Sequence, residues 1–162
     1  MDAFPVANHV LWRANKDAID ISPMKLQKIL FFLHGWYLAL TGQSLIDEGF
    51  ARWRYGPVIP SLYRELKQYG SSPIDEYIEQ YDAHSMEFKP MFVNVKAFPR
   101  FSEILDRVWE QYSGLTALQL SSMTHETGSP WYVTLPDNKI DDNLIRNYFV
   151  HQGFRNEMLA NG

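Results

Sequence analysis

Apolar residues recur at helical spacing over most of the chain, and the strongest pattern lies between Ser22 and Gly42. Ser22 is a candidate N-cap, Pro23 occupies the first helical position, and Gly42 stands where a left-handed residue commonly closes a helix. One face of this segment carries Leu26, Ile29, Leu30, Leu33, Tyr37 and Leu40. Because most of its other positions are apolar as well, the pattern predicts a helix at the centre of the fold.

Five further segments are predicted to be helical, near residues 5–14, 60–68, 101–112, 116–125 and from 141 onward. Thr116 and Gln119 have the spacing of a capping box, and Asp141 is a candidate cap for the last helix. The intervening Gly128-Ser129-Pro130-Trp131 stretch is predicted to be a loop because it combines glycine, serine and proline.

Residues 50–55 alternate in polarity, which predicts a short half-exposed strand that ends in a turn at Gly56-Pro57. Its two sides carry Ala51, Trp53 and Tyr55 against Arg52 and Arg54. Residues 71–98 show no clean period and are predicted to form a variable excursion within the domain, with a second strand at 91–95. The pattern as a whole predicts a mainly α fold: a single compact domain over residues 1–162, with about five to seven helices and a small β element near residues 50–55.

Composition narrows the class of protein. The chain has 162 residues and no cysteine, which suits one domain, excludes disulfide scaffolds and thiol catalysis, and favours a reducing compartment. Its net charge of −4 argues against direct nucleic-acid binding. The longest apolar stretch, Ile29 to Leu40, would span about 18 Å as a helix, less than the roughly 30 Å of a bilayer core. Since no secretion signal opens the chain, we expect a cytoplasmic protein that binds no membrane.

The sequence offers little site chemistry. His125-Glu126 begins like a zinc-protease motif, but Ser129 occupies the position of the second histidine. The histidines lack ligand spacing, and neither a phosphate loop nor a nucleophile elbow is present. We therefore predict no metal, no cofactor and no enzyme, with a small hydrolase using His125 and Glu126 as the enzymatic alternative. His34 is expected to be a hydrogen-bonded core residue.

Arginine and aromatic residues gather around the predicted turn, and such residues often anchor protein interfaces. The candidates for a partner-binding surface are Arg52, Trp53, Arg54, Tyr55, Tyr63 and Arg64. Two other interpretations stay open. Trp53 and Trp131 would complete a small core, or Arg52 and Arg54 would protect a strand edge by their charge.

Four segments are specific in combination. They are MKLQKILFFLHGWYLALTG (Met24 to Gly42), FARWRYGPVIPSLYRELKQYG (Phe50 to Gly70), LSSMTHETGSPW (Leu120 to Trp131) and IDDNLIRNYF (Ile140 to Phe149). In this order and spacing they resemble the SocA/GepA-like family, also called the Panacea domain, from about Ala7 to Phe149. The residues that fall on the family's shared motifs, and that we expect to be structural, are Leu26, Gln27, Lys28, Tyr55, Gly56, Pro57, Thr124, His125, Glu126, Ser129, Pro130 and Trp131.

The resemblance implies a mostly α-helical antitoxin of a bacterial or prophage toxin–antitoxin pair, without a cofactor or catalytic centre. Its expected partner is a cognate, operon-encoded protein toxin that it neutralises by direct binding, and the six surface candidates above become candidate toxin-binding residues. The alternative is a proteolytic adaptor that delivers the toxin to a ClpXP-type protease.

Overall fold

A computed structural model of the chain describes residues 1–153. Its helices are α1 (Ala3–Lys16), α2 (Pro23–Thr41), α3 (Pro60–Leu66), α4 (Phe101–Tyr112), α5 (Ala117–Thr124), α6 (Pro130–Val133) and α7 (Asp142–Gly153). Its strands are β1 (Ala51–Trp53), β2 (Gly56–Val58), β3 (Glu79–Asp82) and β4 (Glu87–Pro90), and a 3-10 turn, Lys67–Tyr69, extends α3. The predicted mainly α fold is confirmed for these residues, and residues 154–162 of the predicted domain lie outside them.

Helix α2 forms the centre of the core, as its pattern predicts. Every residue from Leu26 to Leu38 is buried, and the helix packs against α1, α4, α5, α7 and β2. The Ser22 hydroxyl accepts a hydrogen bond from the Lys25 N–H at 3.3 Å, and Gly42 closes the helix at φ 73°. Local capping signals therefore set both ends of the element around which the rest of the chain packs.

Helix α7 approaches α2 at Gly35. A Cβ atom at Gly35 would lie 2.2 Å from the Phe149 ring, so only glycine admits this ring. The preceding residue, His34, is fully buried, accepts the Ile46 N–H at Nδ1 (3.2 Å) and lies 2.9 Å from Asp142 Oδ1 through Nε2. Because Nδ1 accepts, the proton lies on Nε2 and is donated to Asp142. The prediction of a hydrogen-bonded core histidine is confirmed.

The predicted strand near residues 50–55 is confirmed but shorter, and its turn lies elsewhere. Strands β1 and β2 form an antiparallel hairpin with Ala51 opposite Val58, Arg52 opposite Pro57 and Trp53 opposite Gly56. The chain therefore reverses at Arg54-Tyr55, and Gly56-Pro57 begins the second strand rather than making the turn. Proline is compatible with this position because the two-stranded ribbon leaves an edge that needs no N–H donor.

The excursion at residues 71–98 contains a second hairpin, in which β3 and β4 pair from Glu79–Pro90 to Asp82–Glu87. The prediction of a strand at 91–95 is wrong, since these residues follow β4 without pairing. Val93 packs into the core, whereas Phe92 and Val95 are exposed. Asn8 of α1 anchors the excursion, because its Nδ2 donates to the carbonyl oxygens of Ile78 (2.8 Å) and Met91 (2.9 Å).

The predicted loop at Gly128-Ser129-Pro130-Trp131 is also corrected, since α6 begins within it. Ser129 caps this helix by accepting the Tyr132 N–H at 3.1 Å, and Pro130 stands at its first position. Serine followed by proline is a helix start as well as a loop signal, so composition alone misassigned it. Across residues 1–153, no helix combines the length and apolar character needed to cross a bilayer.

Candidate functional site

The shared-motif residues fall into three groups, which we call the three motifs: residues 26–28, 55–57 and 124–131. The three motifs meet in space although they are far apart in sequence. Seven of their residues form what we call the motif cluster, some through side chains and others through the backbone: Gln27, Lys28, Gly56, Pro57, Thr124, Ser129 and Trp131. Gln27 exchanges two hydrogen bonds with the backbone of Ile59, at 3.1 Å to its carbonyl oxygen and 2.8 Å from its N–H. Lys28 donates from Nζ to the Pro57 carbonyl oxygen at 3.0 Å. Helix α2 is thereby tied to the middle of β2 and to the residue that follows it.

Gly56 lets the hairpin lie against α2 and α5. Its φ is 118°, which side-chain-bearing residues rarely adopt. A Cβ atom there would lie 2.5 Å from Lys28 Cε and 2.8 Å from Thr124 Oγ1. Both the backbone conformation and the available space therefore require glycine.

Side-chain donors of α5 and α6 link these helices to the hairpin and to each other. Ser121 Oγ donates to the Tyr55 carbonyl oxygen at 2.5 Å, and Ser129 Oγ donates to the Thr124 carbonyl oxygen at 2.7 Å. Trp131 Nε1 donates to the Trp53 carbonyl oxygen at 2.7 Å. The bonds to Trp53 and Tyr55 satisfy backbone acceptors before and within the turn, and the bond from Ser129 joins α6 to the end of α5, so this segment helps to hold the hairpin in position.

His125 and Glu126 contact different partners. The His125 ring lies 3.9 Å from the Trp131 ring, and burial together with the charges of Lys28 and Arg52 lowers its pKa. Among the described residues, its buried Nε2 has no hydrogen-bond partner. Glu126 is exposed and accepts from the Tyr148 hydroxyl at 2.5 Å. No group of three His, Cys, Asp or Glu residues within 1–153 is arranged to hold a metal ion.

The candidate toxin-binding residues divide into those that hold the hairpin against α6, which we call the frame, and those that are exposed at the surface. Arg52 belongs to the frame: its guanidinium lies 4.1 Å from the centre of the Trp131 ring, and its Nε donates to the Trp131 carbonyl oxygen at 3.0 Å. Trp53 is half-buried and packs edge-on against Tyr63, with ring centres 5.0 Å apart. Trp53 is therefore neither a fully buried core residue nor a fully exposed interface residue, because its ring packs against Tyr63 and the rest of it stays accessible.

The other four candidates are exposed. Arg54 and Tyr55 form the hairpin turn, with the Arg54 guanidinium 5.4 Å from the centre of the Tyr55 ring. Tyr55 is 59% exposed and Tyr63 is 46% exposed, while Arg64 lies beside Tyr63 on α3. The structure thus leaves two tyrosines and two arginines exposed on the hairpin turn and α3, and three of them, Arg54, Tyr55 and Tyr63, line one pocket.

A pocket of about 430 Å³ lies between the start of α2, the β1–β2 turn and α3; we call it the α2–α3 pocket. Its walls include Trp53, Arg54, Tyr55 and Tyr63 from the candidate set. Sequence reasoning missed Met24 and Lys67, which also line it. Their positions could have indicated this, because Met24 lies at the start of α2 and Lys67 directly follows α3, the two helices that flank the hairpin.

Comparisons with known proteins agree with the motifs. Residues 26–132 match the family described as Antitoxin SocA-like, Panacea domain. Antitoxin SocA of Caulobacter vibrioides (strain NA1000 / CB15N) is 32% identical over 133 residues, which cover 82% of this chain and 70% of that protein. No solved structure is significantly similar to this chain. The matched region contains the hairpin, α3 and all three motifs, and the chain therefore belongs to the Antitoxin SocA-like, Panacea domain family.

Proposed function

We propose that this chain is an antitoxin that neutralises a cognate toxin, encoded in the same operon, by binding it directly. Family membership supports the antitoxin role. The observation that carries direct binding is the exposure of Arg54, Tyr55, Tyr63 and Arg64 on the hairpin turn and α3, where the first three line one pocket. Tyrosine and arginine are among the side chains that most often dominate the binding energy of protein interfaces.

The motif cluster supports this proposal because it orders the surface before any partner arrives. The bond from Trp131 to Trp53 holds the chain before the turn, the bond from Ser121 to Tyr55 holds the turn itself, and the bond from Lys28 to Pro57 holds the chain after it. A loop that is already ordered loses less conformational entropy on binding. A stable complex would bury about 1,200–2,000 Å² in total, of which this surface would form the centre.

The motif contacts also explain why we assign no catalytic role to His125 and Glu126. His125 packs on Trp131, and Glu126 accepts a hydrogen bond from Tyr148, so their side chains serve separate contacts. A general acid–base pair must reach one reacting group. Neutralisation by binding needs no such convergence, and it requires the partner to share the compartment, which we propose is the cytoplasm.

The test is rescue of cells arrested by the toxin gene that adjoins this reading frame, together with co-purification of the two proteins. Wild type should restore growth and co-purify at a fixed ratio. Tyr55→Ala with Arg64→Glu should lose both effects while keeping the thermal midpoint. Tyr81→Ala is the matched control, since Tyr81 is 54% exposed but lies on the β3–β4 hairpin. Loss of rescue in the control alone would contradict the assignment of the surface.

A host that lacks the ClpXP protease separates direct neutralisation from the adaptor alternative. Direct binding predicts that rescue persists there, because covering the toxin needs no second protein. Rescue that disappears, with the toxin level restored in the same cells, would show that the chain acts as an adaptor and would overturn direct neutralisation.

A further inference from the structure

The α2–α3 pocket combines an apolar wall with an open mouth. Its apolar and aromatic lining consists of Met24, Trp53, Val58, Leu62, Tyr63 and Leu66. The edge-on pair of Trp53 and Tyr63 leaves both rings partly accessible. A concave surface that exposes aromatic rings and has a volume of about 430 Å³ can hold one large apolar side chain with its neighbouring backbone.

The charged side chains that line this pocket all have the same sign. Among the described residues they are Lys28, Arg54 and Lys67, and no carboxylate lines it. This is notable because the chain as a whole carries 19 Asp and Glu against 15 Lys and Arg. The pocket is therefore a cationic site on an acidic protein, and its field favours an anionic occupant.

The opposite side of α3 shows the reverse charge. A second cavity there, of about 520 Å³, is lined by Glu65, Asp75, Glu76 and Glu79, with no lysine or arginine among its described lining residues. Leu66 lines both cavities, so α3 separates a cationic surface from an anionic one. An acidic segment would be attracted to the first and repelled from the second, which gives its binding a defined location.

We infer that the α2–α3 pocket holds a short acidic segment of the toxin, with one apolar or aromatic side chain against Trp53 and Tyr63 and carboxylates beside Arg54 and Lys67. This inference rests on the proposed function and adds the chemistry of the partner's contact. Lys28 also lines the wall, but it is 1% exposed and burial lowers its pKa, so we assign the attraction to the exposed Arg54 and Lys67.

The first experiment uses a synthetic probe and does not depend on the toxin. Acetyl-Asp-Glu-Trp-Glu-Asp-amide is titrated into the ¹⁵N-labelled full chain, with acetyl-Lys-Lys-Trp-Lys-Lys-amide as the matched peptide. The acidic peptide should shift the amide signals of the hairpin turn and α3, and the basic peptide should not. Equal shifts from both peptides, or shifts confined to other elements, would overturn the inference.

Charge reversal then locates the site. Arg54→Glu with Lys67→Glu should weaken binding of the acidic peptide about tenfold, given that two ion-pair contacts become repulsive. Lys96→Glu with Arg146→Glu changes the net charge equally at two exposed residues outside the pocket and should leave binding within twofold. Equal losses in both variants would show a general charge effect and contradict a local site.

Repeating the binding and rescue measurements with the toxin itself distinguishes a failure of this inference from a failure of the proposed function. If wild type binds and rescues but Arg54→Glu with Lys67→Glu retains full toxin binding, the pocket inference fails and the proposed function stands. If wild type neither binds nor rescues, the proposed function fails, and the inference about a toxin segment fails with it. Self-association that depends on Arg54 and Lys67 would identify a second copy of this chain as the occupant and would also overturn the inference.

Discussion

Replacing Lys28 by methionine tests whether the motif cluster buries a titrating amine. Lys28 is 1% exposed, and its Nζ donates to the Pro57 carbonyl oxygen at 3.0 Å. Burial lowers the pKa of Lys28 to about 7 from its ordinary value of 10.5. Methionine has a similar length and fills irregular apolar space, so the substitution removes the charge and the donor without emptying the site.

The pKa difference sets both the sign and the size of the effect. The unfolded chain holds the Lys28 proton up to about pH 10.5, whereas the folded chain releases it near pH 7, so between these values the unfolded state binds more protons. The free energy of unfolding of wild type therefore rises with pH in this window, by up to about 1.4 kcal/mol per pH unit from this group. From pH 7 to pH 9 the gain from Lys28 amounts to about 2 kcal/mol.

The assay is denaturant unfolding of wild type and Lys28→Met at several pH values between about 7 and 9, followed by far-UV circular dichroism. The stability difference between the two proteins isolates Lys28, because the other titrating groups are common to both. It should grow in favour of wild type by about 2 kcal/mol over this range, on top of a pH-independent loss of about 1–3 kcal/mol for the unpaired Pro57 carbonyl. A difference that stays constant with pH would refute the assigned pKa.

Two glycines give further predictions. Gly56→Ala should lower the free energy of unfolding by about 2–4 kcal/mol, because a positive φ and a buried clash combine there. Gly42→Ala, at φ 73° with open space around it, should lower it by about 1 kcal/mol. Urea unfolding of both variants measures the two losses, and equal losses would contradict the clash at Gly56. Gly35→Ala should lower the free energy of unfolding by about 1–3 kcal/mol, because the new methyl group would clash with the Phe149 ring. In a double-mutant cycle with Phe149→Leu, the loss caused by Gly35→Ala should change. Strict additivity of the two losses would contradict the contact.

The helices could be predicted from the sequence because their signals are local. Ser22, Pro23 and Gly42 delimit α2 within one segment of chain. Thr116 and Gln119 form a capping box whose two bonds join residues only three positions apart. Caps and amphipathic spacing act over a single turn, so they can be identified without knowing which other segments pack nearby.

The β elements and the small helix α6 were harder because their signals are ambiguous or non-local. The β3–β4 hairpin reverses through a turn in which Asp82 accepts hydrogen bonds from His84 and Ser85, and both strands are largely exposed, so no apolar face reveals them. The sequence predicted a strand at residues 91–95, yet strand formation depends on a partner that the sequence does not reveal. The pairing ends at Pro90.

The site could be predicted only in part. Aromatic and arginine residues near a turn indicated the correct region, but the sequence does not distinguish Arg52, which stacks on Trp131, from Arg54, which reaches solvent. Alternation assigns both arginines to one side of a strand, and this assumption fails once the strand ends at Trp53. The burial of Lys28 was hidden for a similar reason, since lysine within an apolar helix usually extends its amine to water.

The arrangement of the hairpin assigns different tasks to neighbouring residues. Arg52 and the Trp53 carbonyl bind Trp131, which fixes the incoming strand, and Lys28 binds the Pro57 carbonyl, which fixes the outgoing strand. Between these anchors lie Arg54 and Tyr55, whose side chains contact each other and are exposed, while the Tyr55 carbonyl oxygen accepts the Ser121 hydroxyl. Substitutions at the turn can therefore change what the surface binds without weakening the frame, whereas substitutions in the motif cluster must act on stability first.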